Sequence, residues 1–206
     1  MASRRGVKTR VAKHKSKTVA QSVDPRVAKT RALIADAFIQ LIHRRPYYRM
    51  RVSDITRKAK VGRATFYAHF ESKNALLKDL FGNTARGLLV ELKDEPCLVD
   101  CTPFFAHVLG GRQIYSSLTA GPGRAQTERI LQDVLEARIA ELIAAGAARG
   151  IAIAPTPGFV PRFVAGSILA LIAWALEQAP PPSPKDMQSA YRALVGRALA
   201  AGEISR

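Results

Sequence analysis

The 206-residue chain has few cysteines, few aromatic residues and no long run of apolar residues. Its two cysteines are too few for a disulfide framework, and the basic N-terminal stretch lacks the continuous apolar segment of a secretory signal. The longest apolar run, residues 163–176, is 14 residues long and is flanked by Arg162 and Glu177. It is too short to span a bilayer and suits a buried helix. These absences predict a cytoplasmic protein without a membrane partner.

Acidic residues are scarce in the first two fifths of the chain. Residues 1–81 hold 20 Lys/Arg against 5 Asp/Glu, a net charge of +15, whereas residues 82–206 hold 12 against 11, a net charge of +1. A segment this basic suits duplex DNA, where it neutralises phosphates and loses affinity steeply with salt. A solvated basic surface is the alternative interpretation, because runs of Lys and Arg are often no more than that.

Residues 1–23 contain no acidic residue and seven Lys/Arg, Arg4 and Arg5 among them. We interpret this segment as a disordered basic arm that lies along phosphates or enters an adjacent minor groove. An inert solubilising tail and an organellar targeting peptide are the alternatives.

The stretch ITRKAKVGRATFYAHF has the pattern of a helix-turn-helix. Val52, Ile55 and Ala59 share one face of a first helix, and Phe66 and Phe70 share one face of a second. The two apolar faces are expected to pack on each other. The sequence therefore predicts a DNA-reading unit.

The turn between these helices is Lys60-Val61-Gly62. Val61 fills the corner, and Gly62 serves as the N-cap of the second helix. The outer face of that helix, around Ala64 and Ala68, carries no large apolar side chain, which allows close approach to a groove.

The chain resembles the TetR/AcrR transcriptional regulators, whose signature ends in TFYxHFxxKxxLL. The matching residues are Thr65, Phe66, Tyr67, His69, Phe70, Lys73, Leu76 and Leu77. Upstream, Thr30-Arg31 and the Pro46-Tyr47 corner resemble a branch of the family with a "kPy" corner. The resemblance covers residues 25–80 and departs from the family pattern at Thr56, Lys60 and Gly62. Lys60 stands where a positive φ is often needed, which costs a non-glycine residue about 1 kcal/mol.

The second helix begins at Arg63, where an arginine can bond bidentately to guanine or, alternatively, contact a phosphate. The resemblance implies bases near Ala64 and Tyr67, and phosphates near Thr65, His69 and Lys73. Tyr67 and His69 are alternatively structural. The full set expected at DNA is Arg63, Ala64, Thr65, Tyr67, His69, Lys73, Thr30, Arg51, Arg4 and Arg5.

The fold class predicted is all-α, with a three-helix DNA-binding domain at 24–81 and a helical regulatory and dimerisation domain at 82–206. The first helix starts at Pro25 after Asp24, and a linking helix runs from Ser72 to about Leu92. Pro and Gly punctuation places further helices near 103–109, 112–119, 124–148, 159–178 and 184–200.

The last two predicted helices are apolar over much of their surface. This apolar area is larger than one small domain needs to bury internally. In the resembled family the corresponding helices of two copies form a four-helix interface. The resemblance therefore implies a homodimer.

Cys97 and Cys101, with His107, are one ligand short of a structural zinc shell. A metal site, a redox pair and ordinary cysteines all remain open, and ordinary cysteines are favoured. No cofactor and no metal are predicted. The four histidines show no catalytic spacing, and Gly121-Pro122-Gly123 is a tight turn, so the protein is not expected to be an enzyme.

Five residues are candidates for an aromatic ligand cavity, although most also suit a plain core: Phe104, Phe105, His107, Tyr115 and Trp174. Together these patterns predict a ligand-responsive, sequence-specific transcriptional regulator, a repressor bound as a homodimer to an inverted repeat of double-stranded DNA. It would be associated with the nucleoid, and a small-molecule effector would control its binding to DNA. The alternative is an architectural DNA-binding protein without sequence preference or effector.

Overall fold

The computed structural model describes residues 24–92, 99–148 and 158–196. The predicted all-α class is confirmed: helices dominate these ranges, and one two-stranded ladder accompanies them. The predicted arm with Arg4 and Arg5, together with Cys97 and the end of the last predicted helix, lies outside the described residues.

The helices follow the chain in a simple order. They are α1 (Pro25–Ile42), α2 (Val52–Ala59), α3 (Arg63–His69), α4 (Lys73–Leu88), α5 (Thr102–Gly110), α6 (Arg112–Leu118), α7 (Arg124–Ala147), α8 (Phe159–Glu177) and α9 (Pro184–Tyr191). Two short 3₁₀ turns, Tyr47–Arg49 and Gly121–Gly123, precede α2 and α7, and a π-helical turn, Arg192–Gly196, follows α9.

Three predicted helix starts are confirmed by their caps. The Asp24 carboxylate accepts a hydrogen bond from the Arg26 backbone N–H at 2.9 Å, with Pro25 at the first helical position. The Ser72 hydroxyl accepts from the Ala75 N–H at 3.0 Å, and the Ser183 hydroxyl accepts likewise at the start of α9. Each cap satisfies one of the N–H groups that the first turn leaves without a helical partner.

The end of α4 differs from the prediction. The helix stops at Leu88 rather than near Leu92, and the chain turns extended to form β1 (Val90–Glu91), which pairs antiparallel with β2 (Val99–Asp100). Two-residue strands are too short to show an alternating pattern, so the sequence offered no signal for them.

The two predicted domains share one continuous core through α4. Phe81 on α4 makes edge-to-face contacts with Phe104 on α5, at 5.8 Å between ring centroids, and with Tyr115 on α6, at 6.4 Å. On the amino-terminal side, Ile34, Ile55 and Phe66 are fully buried. The predicted boundary between 81 and 82 falls inside α4 and stays a prediction.

Helix α8 is longer than its apolar run of 14 residues. It spans 19 residues and is long and apolar enough, by length and composition alone, to cross a membrane. One side packs along α7, and Val164, Ala165 and Ile168 are fully buried there. A core helix of a folded protein has the same length and composition.

Candidate nucleic-acid interface and effector cavity

Lys60 turns the chain between α2 and α3. It adopts the left-handed conformation, with φ 55° and ψ 40°, as expected from its place in the turn. The Val61 N–H then donates to the Thr56 carbonyl at 3.0 Å, which closes the end of α2. This geometry delivers Gly62 in an extended conformation as the N-cap of α3.

Helix α3 has a buried face and an exposed face. Phe66 is fully buried, and its ring lies 5.5 Å from the Tyr67 ring and 5.8 Å from the Phe70 ring. The exposed side presents Arg63, Ala64, Thr65, Tyr67 and Ala68. Tyr67 is 47% exposed, so its ring leans on Phe66 while its outer half faces solvent. The predicted reading residues are therefore accessible from one side.

Arg31 fixes the position of α3, a role that the sequence did not reveal. Its guanidinium lies 4.4 Å from the centroid of the Phe70 ring, forms an ion pair with Asp79 at 2.7 Å and donates to the His69 carbonyl at 3.3 Å. One side chain of α1 thereby contacts the end of α3 and the middle of α4. The one available signal was the position of Arg31 beside Thr30 in the family pattern.

Lys73 has partners inside the protein. Its ammonium donates to the carbonyls of Tyr47 and Met50, both at 2.8 Å, and lies 4.0 Å from the centroid of the Tyr47 ring. Burial lowers the pKa of this ammonium. The phosphate contact that the resemblance implied for Lys73 stays a prediction, and in the structure its ammonium lies at the corner before α2. The reason is that the Pro46-Tyr47 corner turns two carbonyls toward the first turn of α4.

The remaining predicted DNA residues lie around α3 in different settings. The Thr30 hydroxyl donates to the Arg26 carbonyl at 2.9 Å within α1. Arg51 has an exposed side chain, and its backbone N–H donates to the Asp54 carboxylate at 2.9 Å. His69 is half-buried at the end of α3. Most cations nearby point outward, and the exposed ones around α2 and α3 are Arg44, Arg45, Arg49, Arg51, Arg57, Lys58, Lys60 and Arg63.

A groove of about 690 Å³ opens on the second half of the molecule, between α6, α7 and α8. Its lining comprises Tyr115, Ser116, Thr119, Arg124, Ala125, Glu128, Arg129, Leu131, Gln132, Leu169, Ala170, Ile172, Ala173, Leu176 and Glu177. We refer to it as the α6–α7–α8 groove. Such volumes are typical of small-molecule sites.

Of the five residues predicted for a ligand cavity, Tyr115 is the one that lines this groove. Phe104 and Phe105 are fully buried in the core of α5, and His107 is exposed on the same helix. Trp174 is 50% exposed on the outer face of α8. Selecting candidates by aromatic character alone combined core residues with surface residues, because residue type does not show which face of a helix a ring occupies.

Cys101 is a buried thiol at the end of β2. Its backbone N–H donates to the Gln188 side-chain oxygen at 2.9 Å, and the Gln188 amide donates to the Val99 carbonyl at 3.1 Å, so α9 is tied to the ladder. Burial, and to a lesser extent Asp100, raises the pKa of the thiol. Across the described ranges, no group of three or more His, Cys, Asp or Glu is placed to hold a metal ion.

Comparison with known proteins agrees with this geometry. The family model described as "Bacterial regulatory proteins, tetR family" matches residues 34–80, the segment from the middle of α1 to the middle of α4. Over these residues the chain resembles the DNA-binding segment of the tetR family. The match contains the Lys60 turn, the exposed face of α3 and the Lys73 contact.

Two curated relatives are similar to the amino-terminal part of the chain. The HTH-type regulator YxbF of Bacillus subtilis (strain 168) is 33% identical over 73 residues, 35% of this chain and 19% of that protein. The dhaKLM operon activator DhaS of Lactococcus lactis subsp. lactis (strain IL1403) is 37% identical over 65 residues, 32% of this chain and 35% of that protein. The matches thus cover well under two thirds of either relative.

Solved structures extend the likeness to the whole fold. The dihydroxyacetone kinase operon activator DhaS superimposes with a TM-score of 0.56 at 19% identity, over 84% of this chain and 97% of that chain. RolR in complex with resorcinol superimposes with a TM-score of 0.53 at 20% identity, over 84% and 89%. At these identities the likeness establishes the TetR-type fold, with an amino-terminal helix-turn-helix and a carboxyl-terminal helical domain.

Proposed function

We propose that the protein is a sequence-specific, DNA-binding transcriptional regulator that binds an inverted-repeat operator as a homodimer and represses transcription under the control of a small-molecule effector. The observation that carries this proposal is the two-faced α3. Phe66 anchors the helix in the core while Arg63, Ala64 and Tyr67 remain exposed on the opposite side.

Sequence reading falls to the first turn of α3. Arg63 is the first helical residue, is exposed and makes no ion pair with any residue that the structure describes. An arginine in this position can donate two hydrogen bonds to one guanine. The small side chains of Ala64 and Ala68 let the helix approach the floor of a major groove. Tyr67 supplies an apolar edge and a hydroxyl beside them.

Most of the affinity for DNA is expected to come from the polar and cationic side chains around α3. Arg51 is exposed beside α2, and Thr65 on α3 is exposed as well. We assign phosphate contacts to Arg51, Thr65, Thr30 and His69, and to Arg4 and Arg5 of the amino-terminal arm. Each phosphate contact adds a slope of about 0.9 to the dependence of log affinity on log salt.

The dimer interface follows from an exposed apolar stripe on α8. Phe159, Phe163, Ala170 and Trp174 recur at spacings of four, seven and four residues, which places them on one side of the helix. Phe159 is 61% exposed and stacks on Phe163 with ring centroids 5.8 Å apart. Exposed aromatic stripes of this kind mark interaction surfaces. We propose that two copies pair through this stripe and the adjacent α9.

An effector in the carboxyl-terminal half would regulate this dimer by favouring a conformer in which the spacing of the two α3 helices does not fit the operator. It acts only through its different affinity for the two conformers, and full switching needs about 5.5 kcal/mol of difference. The solved likeness RolR is described as a complex with resorcinol, which supports a small-molecule site in this fold.

Activation of transcription is a second candidate, because the relative DhaS is named an activator. The two directions of control are separated by placing the selected operator upstream of a reporter. A rise in reporter output upon deletion of the protein supports repression, and a fall supports activation.

The proposal is tested by selecting binding sites from a random duplex library with the purified protein. An inverted repeat with half-sites about 34–36 Å apart, or a wider multiple, is expected. The selected duplex and a random duplex are then titrated at several salt concentrations. Equal affinity for both would favour the architectural alternative, a DNA-binding protein without sequence preference or effector.

Arg63→Ala sharpens this test. It should relax the preference at one position of each half-site at a cost of about 1–3 kcal/mol, and Arg57→Ala, an exposed arginine on α2, serves as the control. A uniform loss across all sequences would assign Arg63 to phosphate instead.

A further inference from the structure

We propose that the α6–α7–α8 groove binds an amphipathic organic anion, with the apolar body on the groove floor and the anionic end at Arg129. The inference rests on the proposed function, because it names the class of effector and the place where it binds.

The floor of the groove is apolar. Tyr115, Leu131 and Ile172 form its base and are 6%, 3% and 6% exposed. Leu169 and Leu176 of α8 add partly buried walls. Water in contact with such a floor is displaced favourably by an apolar ligand. A volume of about 690 Å³ is enough for a molecule of drug size.

The charges on the rim are unequal in their pairing. The Arg124 guanidinium forms an ion pair with the Glu128 carboxylate, with Nε and Oε1 2.7 Å apart, and Glu177 acts on the same guanidinium. Arg129 is exposed on the rim and forms no ion pair within the described parts of the chain. A ligand cation would therefore compete with Arg124 for the carboxylates, whereas an anion finds Arg129 without a partner.

The groove lies where an occupant can influence both halves of the regulator. Its α7 wall begins at Arg124, directly after the Gly121–Gly123 turn that contacts the DNA-binding unit. Its α8 wall shares Ala170 with the exposed apolar stripe. A ligand wedged between α7 and α8 thus has mechanical access to the dimer contact and to the reading helices.

The test uses the full chain and 1-anilinonaphthalene-8-sulfonate, an aromatic sulfonate that fluoresces in apolar sites. Saturable binding to the folded protein is expected. Ala125→Trp, which fills the groove from the first turn of α7, should abolish that binding, and Ala137→Trp, an exposed site on the same helix outside the groove, should not. Ala173→Phe is a second filling variant, in case Ala125→Trp does not fold.

Arg129→Gln tests the charge. It should weaken binding of the sulfonate about two- to fivefold, the range of a solvent-exposed ion pair, whereas Arg57→Gln should leave binding unchanged. Nile red, which is neutral, and rhodamine 6G, which is cationic, serve as comparison dyes. Weaker binding of both would support the inference.

Three results would overturn the inference: sulfonate binding that survives both filling variants, binding unaffected by Arg129→Gln, or tighter binding of the cationic dye. The operator affinity of every variant is measured in parallel without a dye. Retained operator affinity together with any of these three results would leave the proposed regulator intact and reject this site. Loss of sequence-specific binding by the wild type would reject the regulator itself.

Discussion

The ring of Tyr48 lies against the backbone of Gly121. A Cβ atom added at Gly121 would lie 2.5 Å from Cε1 of Tyr48, and Gly121 has a φ of +72°. The contact joins the corner before α2 to the turn before α7. A hydrogen bond also joins the same two halves, from the Gln113 amide to the His43 carbonyl at 3.3 Å. The amino-terminal helices are therefore held to the carboxyl-terminal helices on this side as well as through α4.

Gly121→Ala should destabilise the protein. The backbone at this position is left-handed, a conformation that alanine disfavours, and the added methyl group would collide with the Tyr48 ring. We expect a loss of about 1–3 kcal/mol in the free energy of unfolding, measured by chemical denaturation. Gly87→Ala is the matched control because its Cβ would meet nothing within 4 Å. In a helix that exchange should be neutral or stabilising by about 0.5–1 kcal/mol. Equal effects of the two exchanges would argue against the contact.

Lys60→Gly should stabilise the protein. Relief of the left-handed conformation gains about 1–2 kcal/mol per residue, and the greater chain entropy of an unfolded glycine returns about 0.5–1 kcal/mol. The net gain is then about 0.5–1 kcal/mol, which thermal melting can resolve as a rise of about 1–4 °C. Lys58→Gly, two residues earlier inside α2, should instead lower stability by about 1 kcal/mol. A loss of stability at both positions would contradict the role of the turn.

The helix-turn-helix was predictable because its signal is local. Apolar spacing, the caps at Asp24 and Ser72 and the strained Lys60 all act within a few residues of sequence. The partners of Arg31 and Lys73 were not predictable, because their contacts join segments 23 or more residues apart. The α6–α7–α8 groove was missed for the same reason, since three helices must be assembled before their facing residues are known.

Trp174→Glu should separate the proposed dimer. A carboxylate in the middle of the exposed stripe on α8 would have to be buried against the second copy without a partner, which is costly. We expect the dissociation constant of the dimer, measured by analytical ultracentrifugation, to increase at least about tenfold, which is equivalent to about 1.4 kcal/mol. Val90→Glu is the control: Val90 is 51% exposed and Trp174 50%, but Val90 lies on β1. A shift of the wild type to monomer, or no effect of Trp174→Glu, would reject this interface.

Cys101 should be unreactive in the folded protein. Its thiol is fully buried, and burial raises its pKa above the ordinary value of 9.0, so the reactive thiolate is scarce. In a Cys97→Ser background, Ellman's reagent should label Cys101 only after denaturant is added. Rapid labelling of the folded protein would restore the redox interpretation.

Alkaline pH should weaken the fold for the same reason. Burial also raises the pKa of the Tyr47 and Tyr115 hydroxyls above their ordinary value of 10.0. The folded chain therefore retains protons that the unfolded chain releases. The contribution of these three groups to stability is complete below pH 9 and declines as pH rises through 9 and 10. Denaturation midpoints measured from pH 7 to pH 11 should fall over that upper interval, and a midpoint that is constant there would contradict the assignment.

Lys73 distinguishes a structural contact from a DNA contact. Its ammonium holds the Tyr47 and Met50 carbonyls at 2.8 Å, so Lys73→Met leaves two carbonyls without their charged donor. We expect a loss of about 1–3 kcal/mol in stability, the cost of removing hydrogen bonds to a charged group. Lys58→Met on the exposed face of α2 should change stability little.

The salt dependence of operator binding then separates the two roles of Lys73. If Lys73 only supports the corner before α2, Lys73→Met lowers operator affinity by a similar factor at every salt concentration, because no phosphate contact is lost. If Lys73 also neutralises a phosphate, the slope of log affinity against log salt decreases by about 0.9. The two short bonds to carbonyls favour the first outcome, because they occupy two of the three N–H donors of the ammonium and leave one for a phosphate.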